Sequence, residues 1–132
     1  MTWEETEKEV TLLVQNISEK PDVIVGIARG GLVPARLLSR NLNVRMVYVL
    51  SVIKVGEERK VMTEICDDLT GRKLLLVEDV LESGDSLEAG KQYLESKGAI
   101  VKTASLYVTS QTKVKPDYYL KEVDTPPQFP WE

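Results

Sequence analysis

An α/β fold built on an open, mainly parallel twisted sheet flanked by helices is what the sequence predicts. Three observations predict it. Residues 22–28 and 73–77 are almost unbroken apolar runs (Val23, Ile24, Val25, Ile27; Leu74, Leu75, Leu76, Val77), as strands buried on both faces require. Each run ends in a glycine-bearing turn followed by apolar residues at helical spacing. The order strand, turn, helix, strand between residues 73 and 108 reads as a right-handed parallel crossover.

The elements follow in order. Thr2 and Glu5 form a capping-box pattern, and Val10, Leu13, Val14 and Ile17 recur at helical spacing until Pro21, so an amphipathic helix comes first. The strand 22–28 stops at Gly30 and Gly31. Residues 32–42 read as a helix in spite of Pro34, because a first turn needs no amide donor there. Residues 44–53 have strand composition, 56–60 read as a charged turn or mobile loop, and 61–65 as a weaker strand. The strand 73–77 leads into an acidic turn, a helix over 86–97 ended by Gly98, and a further strand over 100–108. The proline-rich tail 116–132 reads as an irregular cap with at most one short strand near 118–123.

Bulk composition narrows the function. The 132 residues, 42% hydrophobic, suit one domain with one sizeable core. With 17 basic against 21 acidic residues and no basic stripe, nucleic acid is not an expected partner. The lone Cys66 and the charged residues 1–10, which lack an apolar export core, point to the cytoplasm, and no apolar run is long enough to span a membrane. The chain has no histidine, so proton transfer near neutral pH falls to a carboxylate, lysine or tyrosine.

The chemistry concentrates after Val77, at a strand end where ligands of open α/β sheets bind. Glu78 and Asp79 are adjacent carboxylates that call for a cation or a sugar diol beside them. Glu82, Ser83, Gly84, Asp85 and Ser86 make a plausible phosphate cradle, with two hydroxyls, a glycine, and amides at a helix N-terminus. The competing reading makes Ser83 and Ser86 plain helix caps beside acids that complement the helix dipole. Arg29, Gly30 and Gly31 offer a guanidinium fork and accessible amides for a second anion, or else a simple Gly-Gly turn with a surface arginine.

Residues 74–87, Leu-Leu-Leu-Val-Glu-Asp-Val-Leu-Glu-Ser-Gly-Asp-Ser-Leu, resemble the phosphoribosyl pyrophosphate motif of type I phosphoribosyltransferases. Residues 25–35, Val-Gly-Ile-Ala-Arg-Gly-Gly-Leu-Val-Pro-Ala, resemble the pyrophosphate loop of the xanthine-guanine and hypoxanthine branch. The resemblance implies one phosphoribosyltransferase domain over 1–132, with a core of about 1–114 and a small C-terminal hood of about 115–132. It implies transfer of ribose 5-phosphate from phosphoribosyl pyrophosphate to a purine base, with Mg²⁺, in purine salvage, by a homodimer or higher homo-oligomer. Glu78 and Asp79 would hold the ribose hydroxyls, directly or through Mg²⁺, and Glu82 to Ser86 the 5-phosphate. Glu82 stands where purine enzymes often carry an aspartate that takes a proton from the base. Ala28–Arg29 is expected to be a cis peptide. Lys102 would meet a 6-oxo group, or would equally be a solvated strand-end lysine. Tyr118 or Tyr119 would stack on the base, because Pro126 and Pro127 stand where that branch has a stacking tryptophan. Trp131 would plug the core or touch ligand, and residues 56–68 match a flap that closes over the reaction. The alternative on the same fold is a non-catalytic sensor of a nucleotide or of the donor.

Overall fold

The computed structural model describes residues 1–132. Three helices, α1 (Trp3–Asn16), α2 (Leu32–Leu42) and α3 (Asp85–Ser96), alternate with strands β1 (Val23–Ala28), β2 (Met46–Val55), β3 (Glu58–Val61), β4 (Lys73–Leu81), β5 (Ile100–Val108) and β6 (Lys121–Glu122). The six strands form one sheet in the order β3-β2-β1-β4-β5-β6, parallel throughout except for the antiparallel β2–β3 hairpin. An open, mainly parallel sheet covered by helices is the architecture its apolar runs predict.

β1 and β4 are the two central strands, which explains their continuous apolarity. Alternate side chains of a strand face opposite layers. Val23, Val25, Ile27, Leu74 and Leu76 pack with Leu87 and Leu94 of α3, whereas Ile24, Leu75 and Val77 pack with Val10 and Leu13 of α1 and Ala35 and Leu38 of α2. Truncating one such side chain, Leu76→Ala for example, removes contacts worth about 2–5 kcal/mol.

The helix ends follow local chemistry. Thr2 Oγ1 accepts from the Glu5 amide at 3.1 Å and Glu5 Oε1 from the Thr2 amide at 3.3 Å, completing the capping box of α1. Pro34 sits in the first turn of α2, and the left-handed Asn43 (φ 55°) closes that helix.

Three expectations shift. β4 continues past Val77 to Leu81, so the acidic pair belongs to a strand rather than a turn. Main-chain pairing carries it on, with Glu78 opposite Ser105, Val80 opposite Tyr107 and Leu81 opposite Val108. The charged stretch read as a turn or mobile loop is mostly β3, which pairs Val61 with Val52 and Glu58 with Val55. An edge strand with one open side tolerates charge, which is why its composition resembled a loop. The weaker strand expected over 61–65 is confined to its first residue. The tail, as expected, carries one short strand, β6, beside a bridge between Ala104 and Tyr118.

Candidate active site

The chain leaves β1 toward β2 on one side and β4 toward β5 on the other, so a crevice opens between the carboxyl ends of β1 and β4. The loop Arg29-Gly30-Gly31 leaves the first strand and the loop Glu82-Ser83-Gly84 the second. Their meeting is close. A Cβ built on Gly30 would lie 2.5 Å from both carboxylate oxygens of Asp79, and one on Gly31 would strike the Val77 carbonyl. Glycine at both positions is therefore a matter of space. Ala28–Arg29 is cis, the exposed Arg29 follows it, and Gly31 starts α2 without a capping side chain.

Glu78 and Asp79, being consecutive on a strand, project to opposite faces. Asp79 lies on the side of α1 and α2, its Oδ1 accepting from the Val80 amide at 2.7 Å and its Oδ2 from the Trp131 indole at 3.1 Å. Burial raises its pKa, and these two hydrogen bonds oppose the rise. Glu78 lies on the α3 side. Burial first, and then the Asp79 charge, push its pKa up to about 8 against the opposing pull of Arg59.

On that side a cleft of about 510 Å³ is lined by Arg59, Glu78, Glu82, Ser83, Ser86 and Gln111, among others. Its floor is the start of α3. Gly84 is left-handed (φ 83°), no side chain caps the helix, and Ser83 Oγ accepts from the Asp85 amide at 3.2 Å. A Cβ on Gly84 would collide with Val114, so only glycine lets the segment after β5 lie against the loop. That segment holds the loop from behind: Thr109 Oγ1 donates to the carbonyls of Leu81 (3.2 Å) and Glu82 (3.3 Å), and the Lys113 amide to that of Ser83 (2.9 Å). Lys113 also pairs with Asp85 at 3.5 Å. Gly84, not a serine, occupies the N-cap position of α3, although Ser83 takes the amide of the helix's first residue, as the cap reading has it.

The fold thus brings Arg29, Gly30, Gly31, Glu78, Asp79, Glu82, Ser83, Gly84, Asp85 and Ser86 to one end of the sheet. It does not bring Lys102 or Tyr118 there. Lys102 is the third residue of β5 and pairs with Leu75, near the amino ends of the parallel strands. It lines a small cavity of about 30 Å³ with Glu19, Lys73 and Tyr118 at that opposite end. Tyr118 Oη lies 3.4 Å from Ser18 Oγ, and the Tyr119 ring lies under Lys115 Nζ, 5.4 Å from it, and packs against the core on the α3 side. Lys102 is exposed at the start of β5, and counting from Gly98 to the start of that strand tells which end it occupies. Sequence reasoning singles out neither Arg59 nor Gln111 as a cleft residue, although Arg59 lies in the stretch expected to close over the reaction. The signal for Arg59 was its place two residues from Val61 in a strand that pairs back onto β2; Gln111 had none.

Two carboxylates on opposite sheet faces make no complete metal cage, and no group of three His, Cys, Asp or Glu side chains could form one. A hard cation that keeps most of its waters needs only one or two carboxylates and a ligand's phosphate oxygens. Burial, the first cause of the raised pKa values of Glu78 and Asp79, disfavours their charged forms, and a cation bound beside them would favour those forms.

The phosphoribosyl transferase domain model matches residues 2–132. Xanthine-guanine phosphoribosyltransferase of Gluconobacter oxydans is 32% identical to this chain over all of it and 83% of the relative, and that of Chromohalobacter salexigens 29% over all of it and 82%. Among solved structures, the purine phosphoribosyltransferase from Pyrococcus horikoshii superposes with a TM-score of 0.90 at 36% identity, covering all of this chain and 91% of that one.

Proposed function

The chain belongs to the phosphoribosyltransferase family, and from that premise we propose that it transfers ribose 5-phosphate from phosphoribosyl pyrophosphate to a purine base, releasing pyrophosphate and a nucleoside monophosphate, as a step of purine salvage. The observation that carries the reading is the contact of Gly30 with the Asp79 carboxylate, which joins the two motif loops into one crevice.

Each residue then has a task dictated by charge. The loop Glu82-Ser83-Gly84-Asp85-Ser86 and the uncapped start of α3 offer amides and hydroxyls to the 5-phosphate. Arg29, with the amide of Gly30, receives the pyrophosphate; the Gly31 amide is already given to the Ile27 carbonyl at 2.8 Å. Glu78 and Asp79 hold the ribose hydroxyls and would hold Mg²⁺, which when bound offsets the charge of the leaving pyrophosphate. Those carboxylates also lie where positive charge develops on the sugar as the bond at C1 breaks. Glu82, exposed at the cleft, takes the proton of the incoming base, an effect worth roughly 10²–10⁴-fold. Residues 1–132 act as one domain, with 115–132 as its hood. The free, exposed Cys66 suits the cytoplasm, and no helix is long and apolar enough to cross a membrane. Pairing into a homodimer or larger assembly belongs to the same reading, because β2 leaves Val47, Val49, Ile53 and Val55 exposed on one face.

The test is incubation with phosphoribosyl pyrophosphate, Mg²⁺ and each of hypoxanthine, guanine, xanthine and adenine, following pyrophosphate. Release that depends on one of the bases is expected. One observation favours a second reading, a non-catalytic sensor of the donor or a nucleotide: Lys102 and Tyr118, the side chains expected at the base, stand at the wrong end of the sheet. Tight donor binding without pyrophosphate release with any base would establish the sensor.

A further inference from the structure

Trp131 lies 52 residues along the chain from Asp79, yet its indole N–H is aimed at that carboxylate at 3.1 Å. The ring is not free to choose. It stacks on Phe129 (4.7 Å between centroids, 8° between planes), Phe129 stacks on Tyr107 of β5 (6.0 Å, 14°), and the Trp3 ring closes the far side at 6.1 Å. Phe129 is buried, and the Tyr107 hydroxyl is itself tied to Glu9 Oε1 at 2.9 Å, so the aromatic series is anchored at its base. At the other end the Asp79 carboxylate accepts from the Val80 amide through Oδ1 and from the indole through Oδ2, with Gly30 pressed against it. Two donors, one on each oxygen, fix the side-chain torsion.

An ionised carboxylate has about four acceptor sites, and these two bonds leave the others for a ligand. A carboxylate oriented before its ligand arrives loses less freedom on binding. Resting on the reading of Asp79 as a ribose or metal ligand, we propose that Trp131 is a positioning residue for donor binding: its indole N–H sets the orientation in which Asp79 meets the donor. The role works through Asp79 and needs no contact between Trp131 and the ligand.

Trp131→Phe keeps a stacked ring and removes the N–H. With purified full-length protein and Mg²⁺, KM for phosphoribosyl pyrophosphate should rise about tenfold, as loss of one charge-assisted hydrogen bond predicts, while KM for the base stays within about twofold and the melting temperature changes little. An unchanged donor KM overturns the proposal. So does a uniform loss in which donor KM, base KM and melting temperature all worsen together, because a plain core plug behaves that way. Wild-type protein that binds no donor in calorimetry overturns the functional reading itself and this inference with it, an outcome distinct from normal wild-type binding that the variant leaves intact. Hydrogen exchange of the indole protons gives a second measurement independent of the variant's folding. The Trp131 indole should exchange far more slowly than that of Trp3, which is 53% exposed, and equal rates overturn the proposal.

Discussion

The carboxylate of Asp79 fills the space that a side chain on Gly30 would need, with both its oxygens 2.5 Å from the position of a Cβ there. Gly30→Ala must therefore displace the carboxylate or lift the loop away from β4. Because Trp131 and the Val80 amide hold the carboxylate in place, the loop is the side that yields. Overpacking of this kind costs about 1–3 kcal/mol. A loss of roughly 10–100-fold in affinity for phosphoribosyl pyrophosphate with Mg²⁺ is expected by calorimetry, along with a lowered melting temperature. Wild-type affinity in Gly30→Ala would show that the two loops do not act as one site.

Glu78 gives the apoprotein a pH dependence whose sign is fixed by its environment. Burial, and then the neighbouring Asp79, raise its pKa from the ordinary carboxylate value to about 8. The folded state thus binds a proton that the unfolded chain has released, and stability falls as pH rises from about 4.5 to about 8. Partial solvent access reduces the effect to on the order of 1–2 kcal/mol. In magnesium-free buffer Glu78→Gln should be more stable than wild type at pH 8, and the gap should close toward pH 5, as followed by urea denaturation. A gap that does not change with pH would rule out Glu78 as the source.

Glu82 separates binding from chemistry. It is exposed at the cleft edge and lies outside the Asp79–Gly30–Trp131 contacts. Glu82→Gln should lower kcat by roughly 10²–10⁴-fold near neutral pH, with donor affinity held within a few fold. Full turnover across pH 6 to 9 would remove it as the acceptor of the base proton.

Much of this arrangement was legible because the relevant physics is local. Two-sided burial wrote β1 and β4 as apolar runs, and Thr2 with Glu5 marked the start of α1 within four residues. The rest depends on partners far along the chain. β4 runs on through Glu78 and Asp79 because backbone pairing with β5 is indifferent to side-chain charge. β3 looked like a loop because an edge strand meets a neighbour on only one side. Nothing near Asp79 in sequence announces Trp131, and composition alone does not tell which end of β5 carries Lys102.

That last ambiguity yields a prediction about the base. Lys102 pairs with Leu75 and Ser105 with Glu78, so Lys102 stands three residues back along β5 from the level of the acidic pair. At about 3.3 Å per residue this is roughly 10 Å, directed toward the amino ends of the strands rather than the cleft. A lysine side chain pointing into the cavity shared with Glu19 and Tyr118 at the amino ends of the strands does not reach a purine at their carboxyl ends. Lys102→Ala and Tyr118→Phe should each leave KM for hypoxanthine or guanine within about twofold of wild type, because neither ring edge nor exocyclic oxygen meets them. Steady-state kinetics at saturating donor decides the matter: a tenfold rise in base KM for Lys102→Ala would return this lysine to the base and require a sheet end other than the one that carries Asp79.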